Sequence, residues 1–526
     1  MTLEADFDLA TEPWIDVLYT DGSPRAVGFR QAMLDAHLIT DLALAYPAAY
    51  GALYRVLAAL ALRVTGLDRS SGGAQWYRRR NNLFAIPFDA DAVEKYFADH
   101  AEGFALYGPR GFFQDDRLRT DCKATSGINK LVFGRASGSA RPWFAGKQGD
   151  RQQQPVPSEQ AAVHLLMWAY YGSGGTVTTR SSGGVNTQTG CQAGPLRGTV
   201  GYHPLGPTLH TTLVAHLTPL TTEQTAGSPR PDLAPWEHDG HTDPTLPTPP
   251  PRGPVSLLAG RTRHAILLTP GNGGRTATDC VITWGARNPP KEERAKPGDH
   301  REPFPDPYLA YRRSAKTRAP SSAVEADGGR HLFRDLDVLL NSPDSRPPEQ
   351  AKNTPTRPTV LHACEYLPDE VVETLRIRVV GVHQDRDKNV DRQWWTSTTP
   401  PLLAHTAQRD PEIAERVEQA VREADKAAWS LDRALAAAFA DKPKDQEARA
   451  LRQTRIAAQY WPRADTAFWH LYNTQTLPGA QPLMRVAALN AFDALTATLA
   501  RSLSAGHRVA QARALLPLPR KDNDHG

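Results

Sequence analysis

Two clusters of possible ligands stand out in this chain. His238-Asp-Gly-His241-Thr-Asp243 puts two imidazoles and two carboxylates in one short run, a donor set that suits a transition metal. The surrounding sequence is proline-rich, ending in Pro247-Thr-Pro-Pro-Pro251, and offers no rigid shell to fix ligand geometry, so no metal is expected there. Asp335-Leu-Asp337 is the second cluster. Such a pair can hold the divalent cation of a nuclease, although acidic pairs are far more often solvated. The signatures GxxxxGK[ST], HExxH and GxSxG are missing, so nothing points to a phosphate-cradling loop, a zinc protease or a nucleophile elbow.

Basic, glycine-punctuated stretches are more informative. Across 129–160, Gly134, Gly138, Gly146 and Gly149 alternate with Arg135, Arg141, Lys147 and Arg151 before Gln152-Gln-Gln154. A loop of this length is usually functional or disordered. Gly190, Gly194, Gly198 and Gly201 punctuate a second stretch that also holds Gln192, Arg197 and Thr199. Glycine lets backbone approach a groove closely, and exposed amides bond to base edges or phosphates; a plain surface loop fits equally well. A third stretch carries Arg287, Lys291, Arg294, Lys296, Arg301, Arg312, Arg313, Lys316 and Arg318, diluted by Glu292, Glu293, Asp299, Glu302 and Asp306. Such mixed charge ordinarily marks a solvated face.

The elements that must position these stretches change character along the chain. Trp14–Leu18, Asp21-Gly22 and Ala26–Phe29 read as a hairpin, because an Asp-Gly pair sits between apolar runs. Leu53, Val56, Leu57, Leu60 and Val64 recur at helical spacing and predict a buried helix over about 48–64. A second apolar helix is expected around Ala161–Tyr171. Residues 172–201 have almost no helical periodicity, and 226–254 read as an exposed linker or insertion. Val255–Leu258, Ala265–Leu268, Val281–Trp284 and Leu375–Val380 read as strands, the last leading into the polar run Gln384-Asp-Arg-Asp-Lys388. Beyond about residue 400 the pattern is helical. Ile413, Val417, Val421, Ala424, Ala428, Leu431 and Leu435 form one stripe, and Leu489, Phe492, Leu495, Leu499 and Leu503 another.

At 526 residues the chain should form two or more domains. We expect a mixed α/β region over 1–400 and a helical bundle over 401–520, an α+β class. Hydrophobic residues at 40% and charged residues at 22% fit a globular protein, and a net charge of +4 permits a nucleic-acid partner without demanding one. Cys122, Cys191, Cys280 and Cys364 are too dispersed for a zinc ribbon and read as reduced thiols. The run Leu53–Val64 is broken by Arg55 and Arg63, so no membrane span is expected, and Glu4, Asp6 and Asp8 argue against a signal peptide. A cytoplasmic location follows as an expectation.

Several segments resemble the CasA family, the large subunit of the type I-E CRISPR Cascade complex. Phe7-Asp-Leu-Ala-Thr-Glu-Pro-Trp-Ile-Asp-Val-Leu18 is similar to that family's opening, and Gly111-Phe-Phe-Gln-Asp115 to its P-F-x-Q element, with glycine in place of proline. Ser126-Gly127 and Asn129-Lys130 follow at the expected distance. Leu196-Arg-Gly198-Thr-Val and Leu209-His-Thr-Thr-Leu213 resemble its strand pair after a glycine loop.

The resemblance implies a large mixed α/β N-terminal domain followed by a C-terminal four-helix bundle, with no catalytic residues, metal or cofactor. It implies a protein that reads the protospacer-adjacent motif on double-stranded target DNA, helps open the duplex into an R-loop, and recruits a helicase-nuclease. Guide RNA and the other Cascade subunits are the further partners, and base pairing with the guide reads the target itself. The loop contacting the guide corresponds to Arg141, Trp143 and Phe144, and the glycine loop to Gly190, Gln192 and Gly194. The family's lysine-bearing hairpin falls within 287–296, with Lys291, Arg294 and Lys296, and its duplex wedge near Gln384 and Arg386. A metal-dependent nuclease using Asp335 and Asp337, and a scaffold that docks only proteins, are the competing readings.

Overall fold

The computed structural model describes residues 6–69, 73–137, 153–182, 185–186, 190–219, 231–246, 248–286, 304–313, 320–340, 355–385, 390–406, 408–441, 445–499 and 502–516. The chain divides into two compact units: residues 1–326 with 351–403, and residues 327–350 with 404–526. The second unit thus takes in 327–350, which the sequence reading placed within 1–400.

In the first unit β1 (Ile15–Tyr19) pairs antiparallel with β2 (Pro24–Val27), and β3 (Ile39–Leu42) lies along its other edge. The turn needs Gly22, whose φ is +81°, and the Asp21 carboxylate accepts from the Ser23 amide. Side chains alternate along β1, so Ile15, Val17 and Tyr19 are buried while Asp16 and Leu18 face out.

Helix α1 (Pro47–Thr65) begins with proline in its first turn and stops at Gly66, which is left-handed at φ 64°. By length and composition α1 is apolar enough to cross a membrane despite its two arginines, but 78% of its most apolar window is buried inside the protein, as in a core helix. Arg55 is itself buried and ion-paired with Asp306. Helix α2 (Ser158–Tyr171) packs against α1.

Two antiparallel sheets carry the loops of interest. After β4 (Val200–Leu205), β5 (His264–Gly271) and β6 (Thr276–Trp284) form a hairpin, with Val156–Pro157 on the far edge of β6. In the other sheet β7 (Arg376–Asp385) is central, flanked by β8 (Val390–Thr398) and β4. Gly381 lies opposite Trp395, and a Cβ there would meet the indole ring at 2.3 Å.

Several sequence expectations are corrected. Leu209–Leu213 lies in a helix, α3 (Leu209–His216), because Thr208 caps it by accepting from the Thr211 amide. Val255–Leu258 is likewise helical, with Pro254 in the first turn and the Asp232 carboxylate accepting from the amides of Val255 and Ser256. Residues 232–237 are packed rather than a free linker, while 238–243 are exposed as expected: Trp236 is buried and stacked on Phe112 at 5.4 Å, and Glu237 is paired with Arg63 at 2.6 Å.

The second unit is helical. In α4 (Pro411–Phe439) the Asp410 carboxylate accepts from the Ile413 amide, and Val417, Val421, Ala424, Leu431 and Leu435 are buried in line. Helix α5 (Gln446–Gln459) is separated from α6 (Trp461–Asn473) only by Tyr460, with Pro462 in the first turn of α6. The stripe expected to run to Leu503 is split. Helix α7 (Ala480–Thr496) ends first, Ser502 caps α8 (Leu503–Arg513), and Leu503 is 97% exposed. Phe333 anchors the 327–340 segment on Phe468 at 5.0 Å, and Arg334 lies over the Trp461 ring at 3.8 Å.

Candidate nucleic-acid interface

Of the residues singled out from sequence, Gly190, Gln192, Gly194 and Gln384 lie among the described residues; Arg141, Trp143, Phe144, Lys291, Arg294, Lys296 and Arg386 lie outside them. The residues that flank all four segments are described, and they all belong to the first unit.

The glycine segment is held by two contacts. Gly190-Cys191 pairs antiparallel with Gly175-Thr176, and Arg263 donates through Nη1 to the Ala193 carbonyl at 2.9 Å. The next backbone bond along the chain from Arg263 to the end of β6 is Gly285 N–H to the Arg263 carbonyl at 2.9 Å. That places the stem of the 287–296 segment beside the glycine segment.

Beyond Gly194 the chain runs through Arg197 and Gly198 directly into β4, which pairs with β7. The far end of β7 holds one of the two residues assigned from the resemblance to the wedge. Gln384 sits on its last rungs, opposite Asp391, just after a break in register between His383 and Gln384. Arg197 lies 2.6 Å from Asp391 through Nη2 and donates through Nη1 to the Tyr171 carbonyl at 2.9 Å.

The residues that flank 138–152 lie at the same place. Gln153 accepts from the Ile128 amide at 2.8 Å, and Arg135 donates to the Gln154 carbonyl at 2.9 Å. Phe133 packs on Trp394 of β8 with ring centroids 5.0 Å apart. Trp394 stands on the same strand as Asp391.

The two glycines assigned to groove reading differ. Nothing lies within 4 Å of a Cβ built on Gly190, and Gln192 is exposed. Gly194 is buried, its amide donates to the Gly172 carbonyl at 2.9 Å, and a Cβ there would sit 2.4 Å from the Tyr170 carbonyl oxygen. Gly190 and Gln192 are therefore the accessible part of this segment, and Gly194 is a packing residue.

Electrostatically the centre of the cluster is the Arg197–Asp391 pair, with side-chain exposures of 4% and 22%. Burial lowers the Arg197 pKa, and Asp391 only partly offsets it. Burial also raises that of Asp391, against the charge of Arg197 and the hydrogen bond from Trp394. Desolvation outweighs attraction for both partners, so the pair adds little to stability but costs a great deal when one member is removed.

The possible metal ligands are accounted for differently. Among the described residues Asp115, Asp116 and His241 bring ligand atoms within 4.8 Å of one another. His241 comes from the proline-rich stretch and contacts Asp116 at 2.8 Å. Both oxygens of Asp115 are already taken, by Arg117 at 2.8 Å and by the fully buried Arg180 at 2.9 Å. These cations, with His241, hold the Asp115 carboxyl below its ordinary value despite burial, which by itself would raise it. Asp335 is ion-paired with Arg330 at 2.6 Å.

Sequence reading did not single out Asp391, Arg263 or Trp394. The charged pair Asp391-Arg392 followed closely by Trp394-Trp395 was the available signal. The motif Gly111–Asp115 also acquires a structural reason: Gln114 donates to the Leu106 carbonyl and accepts from the Leu268 amide, clipping β5 in place.

Residues 8–502 match the family described as CRISPR-associated protein Cse1. A chain in a solved structure described as a CRISPR RNA-guided surveillance complex is 30% identical, with a TM-score of 0.80 over 97% of this chain and 99% of that one. Two further structures share the fold: CasA (Cse1) of Thermus thermophilus, 19% identical with a TM-score of 0.73 over 97% of this chain and 98% of that one, and Cse1 of Acidimicrobium ferrooxidans, 22% identical with a TM-score of 0.71 over 98% and 100%. No curated protein sequence matches the chain.

Proposed function

The chain belongs to the CRISPR-associated Cse1 family, and on that premise we propose that it is the large, non-catalytic subunit of a type I-E Cascade surveillance complex in the cytoplasm. In this reading it binds guide RNA and the other subunits, reads the protospacer-adjacent motif on double-stranded DNA, helps open the duplex, and recruits the helicase-nuclease. The relative of 30% identity is described as part of an RNA-guided surveillance complex, which supports the partner class.

The observation that carries the reading is the convergence of four stems. Phe133, Ala193, Gly285 and Gln384, which flank the four segments, are far apart in sequence, yet they contact the residues Arg197, Arg263, Asp391 and Trp394 or their immediate neighbours. A surface that must hold a short duplex, separate its first pairs and touch the guide needs these elements side by side. A small residue with open space, as at Gly190, lets backbone enter a minor groove, whose pattern is degenerate and whose width excludes bulk. Basic side chains within 287–296 supply attraction to phosphates, which is insensitive to sequence and falls with salt.

The test is a titration of assembled complex against duplexes that differ only in the flanking motif, at two salt concentrations. Gly190→Phe should abolish discrimination between good and bad motifs while leaving assembly intact. Lys291→Ala and Lys296→Ala should weaken all duplexes about equally and flatten the salt dependence. An unchanged motif preference in Gly190→Phe places motif reading outside the glycine segment.

A further inference from the structure

The wedge hairpin and the glycine segment are adjacent, and one side-chain pair joins them. Arg197 follows the glycine segment by a few residues, and its guanidinium reaches both the Tyr171 carbonyl at the end of α2 and the Asp391 carboxylate at the start of β8. Asp391 lies directly across the ladder from Gln384. A second link runs parallel to the first, since the Val382 amide approaches the Thr199 carbonyl at 3.4 Å. Gly198, between Arg197 and Thr199, is left-handed at φ +77°, and a Cβ there would come 3.6 Å from Gln384 Oε1. The ladder shifts register between His383 and Gln384 and then continues through Gln384–Asp391 and Asp385–Val390, so whatever holds Asp391 also holds the rung that carries Gln384.

We propose that Arg197 and Asp391 form a strut that fixes the strand-separating turn to the motif-reading segment, so that seating of the glycine segment in the groove sets the position of Gln384 against the first base pairs. Both are positioning residues acting through others. The inference rests on the assignment of the two loops to motif reading and duplex separation. A buried ion pair with little net stability suits this task, because its geometry constrains two elements to one relative position. Specificity then reaches the opening step as a coupling between two contacts.

The experiment uses the assembled, guide-loaded complex and duplexes carrying 2-aminopurine in the first pairs beside the motif. Asp391→Asn keeps the side-chain shape and removes the charge. We expect motif-dependent affinity to be retained and opening of the matched duplex to slow roughly tenfold, within the usual range for coupling between sites. A duplex already mismatched at those first pairs should be engaged at the wild-type rate. Arg197→Lys, which keeps the charge but loses the fork that reaches two partners, should show a smaller deficit in the same assay, and it replaces Asp391→Asn if that variant fails to enter the complex. Wild-type opening of the closed duplex by these variants overturns the strut, as does an equal deficit on closed and pre-mismatched duplexes. Gln384→Ala measured alongside separates the two levels: if neither Gln384→Ala nor a wrong motif alters opening, the loop assignment fails rather than the strut.

Discussion

Gly194 lies against the backbone of Tyr170 so closely that a Cβ would stand 2.4 Å from the Tyr170 carbonyl oxygen, whereas Gly190, at the other end of the same segment, has nothing within 4 Å. Gly194→Ala should therefore lower the stability of the chain by about 1–3 kcal/mol through overpacking against backbone that cannot yield. Gly190→Ala should stay within about 0.5 kcal/mol of wild type. Thermal unfolding of the two variants checks this, and equal melting temperatures would show that Gly194 is not packed as described.

In the second unit, Leu431 and Leu435 are fully buried on α4, while Leu503 is 97% exposed at the start of α8. Leu431→Ala and Leu435→Ala should each cost about 2–5 kcal/mol. Leu503→Ala should change stability by less than about 0.5 kcal/mol. Denaturant titration is the measurement, and comparable losses at Leu431 and Leu503 would contradict the helix boundaries at Thr496 and Ser502.

That pair of leucines also shows how far the sequence could be read. The stripe through Leu431 and Leu435 was legible because amphipathic spacing over a long helix has few alternative explanations. The stripe ending at Leu503 was not, since apolar residues at helical spacing continue across the gap at 497–502, and only the Ser502 cap reveals the new start. Leu209–Leu213 differs for another reason: the strand expected there came from the resemblance, whereas the Thr208 cap starts a helix. For the site, glycines and basic runs announce the loops themselves. The side chains that gather them, Arg197, Asp391, Arg263 and Trp394, are ordinary in local pattern, and their meaning comes from contacts between residues far apart in the chain.

Acid should destabilise the first unit before its carboxylates protonate. His203 Nδ1 and His216 Nε2 are 3.2 Å apart, and His216 Nδ1 is 2.7 Å from the Thr212 carbonyl, which can only accept. His216 therefore carries its proton on Nδ1 and accepts from His203, an arrangement with no room for another proton among Tyr54, Tyr308 and the nearby Arg55. Burial holds His164, His210, His216 and His264 down at about 4, and His203 is also far below its ordinary value. Unfolded imidazoles take protons near 6.5, so between the two values the unfolded state binds more protons and stability rises with pH. The contribution is complete above about 6.5 and is lost as pH falls toward 4, by up to about 1.4 kcal/mol per pH unit for each group. The melting temperature should fall steadily across that window, and His216→Gln should reduce the slope. A flat profile between neutrality and about pH 5 would mean these imidazoles are not neutral when folded.

Divalent cations should not bind specifically at Asp115, Asp116 and His241, although their ligand atoms lie within 4.8 Å of one another. A metal needs carboxylate oxygens with free lone pairs and an excess of negative charge. Asp115 has both oxygens committed to guanidiniums, and Arg180 is fully buried between Asp115 and Asp121, where it cannot leave without exposing an unpaired charge. The cluster is better described as a polar network in which His241 contacts Asp116, the residue that follows the Gly111–Asp115 motif. Zinc, manganese or magnesium at millimolar excess should leave the melting temperature where it is, and Asp116→Asn should alter stability only modestly. Asp335→Ala with Asp337→Ala should likewise leave target interference by the assembled complex intact, because Asp335 is paired with Arg330. A saturable, cation-specific rise in melting temperature that disappears in Asp116→Asn would establish a metal centre here. Loss of DNA cleavage in the Asp335 and Asp337 double variant, with folding and assembly preserved, would make this subunit the nuclease.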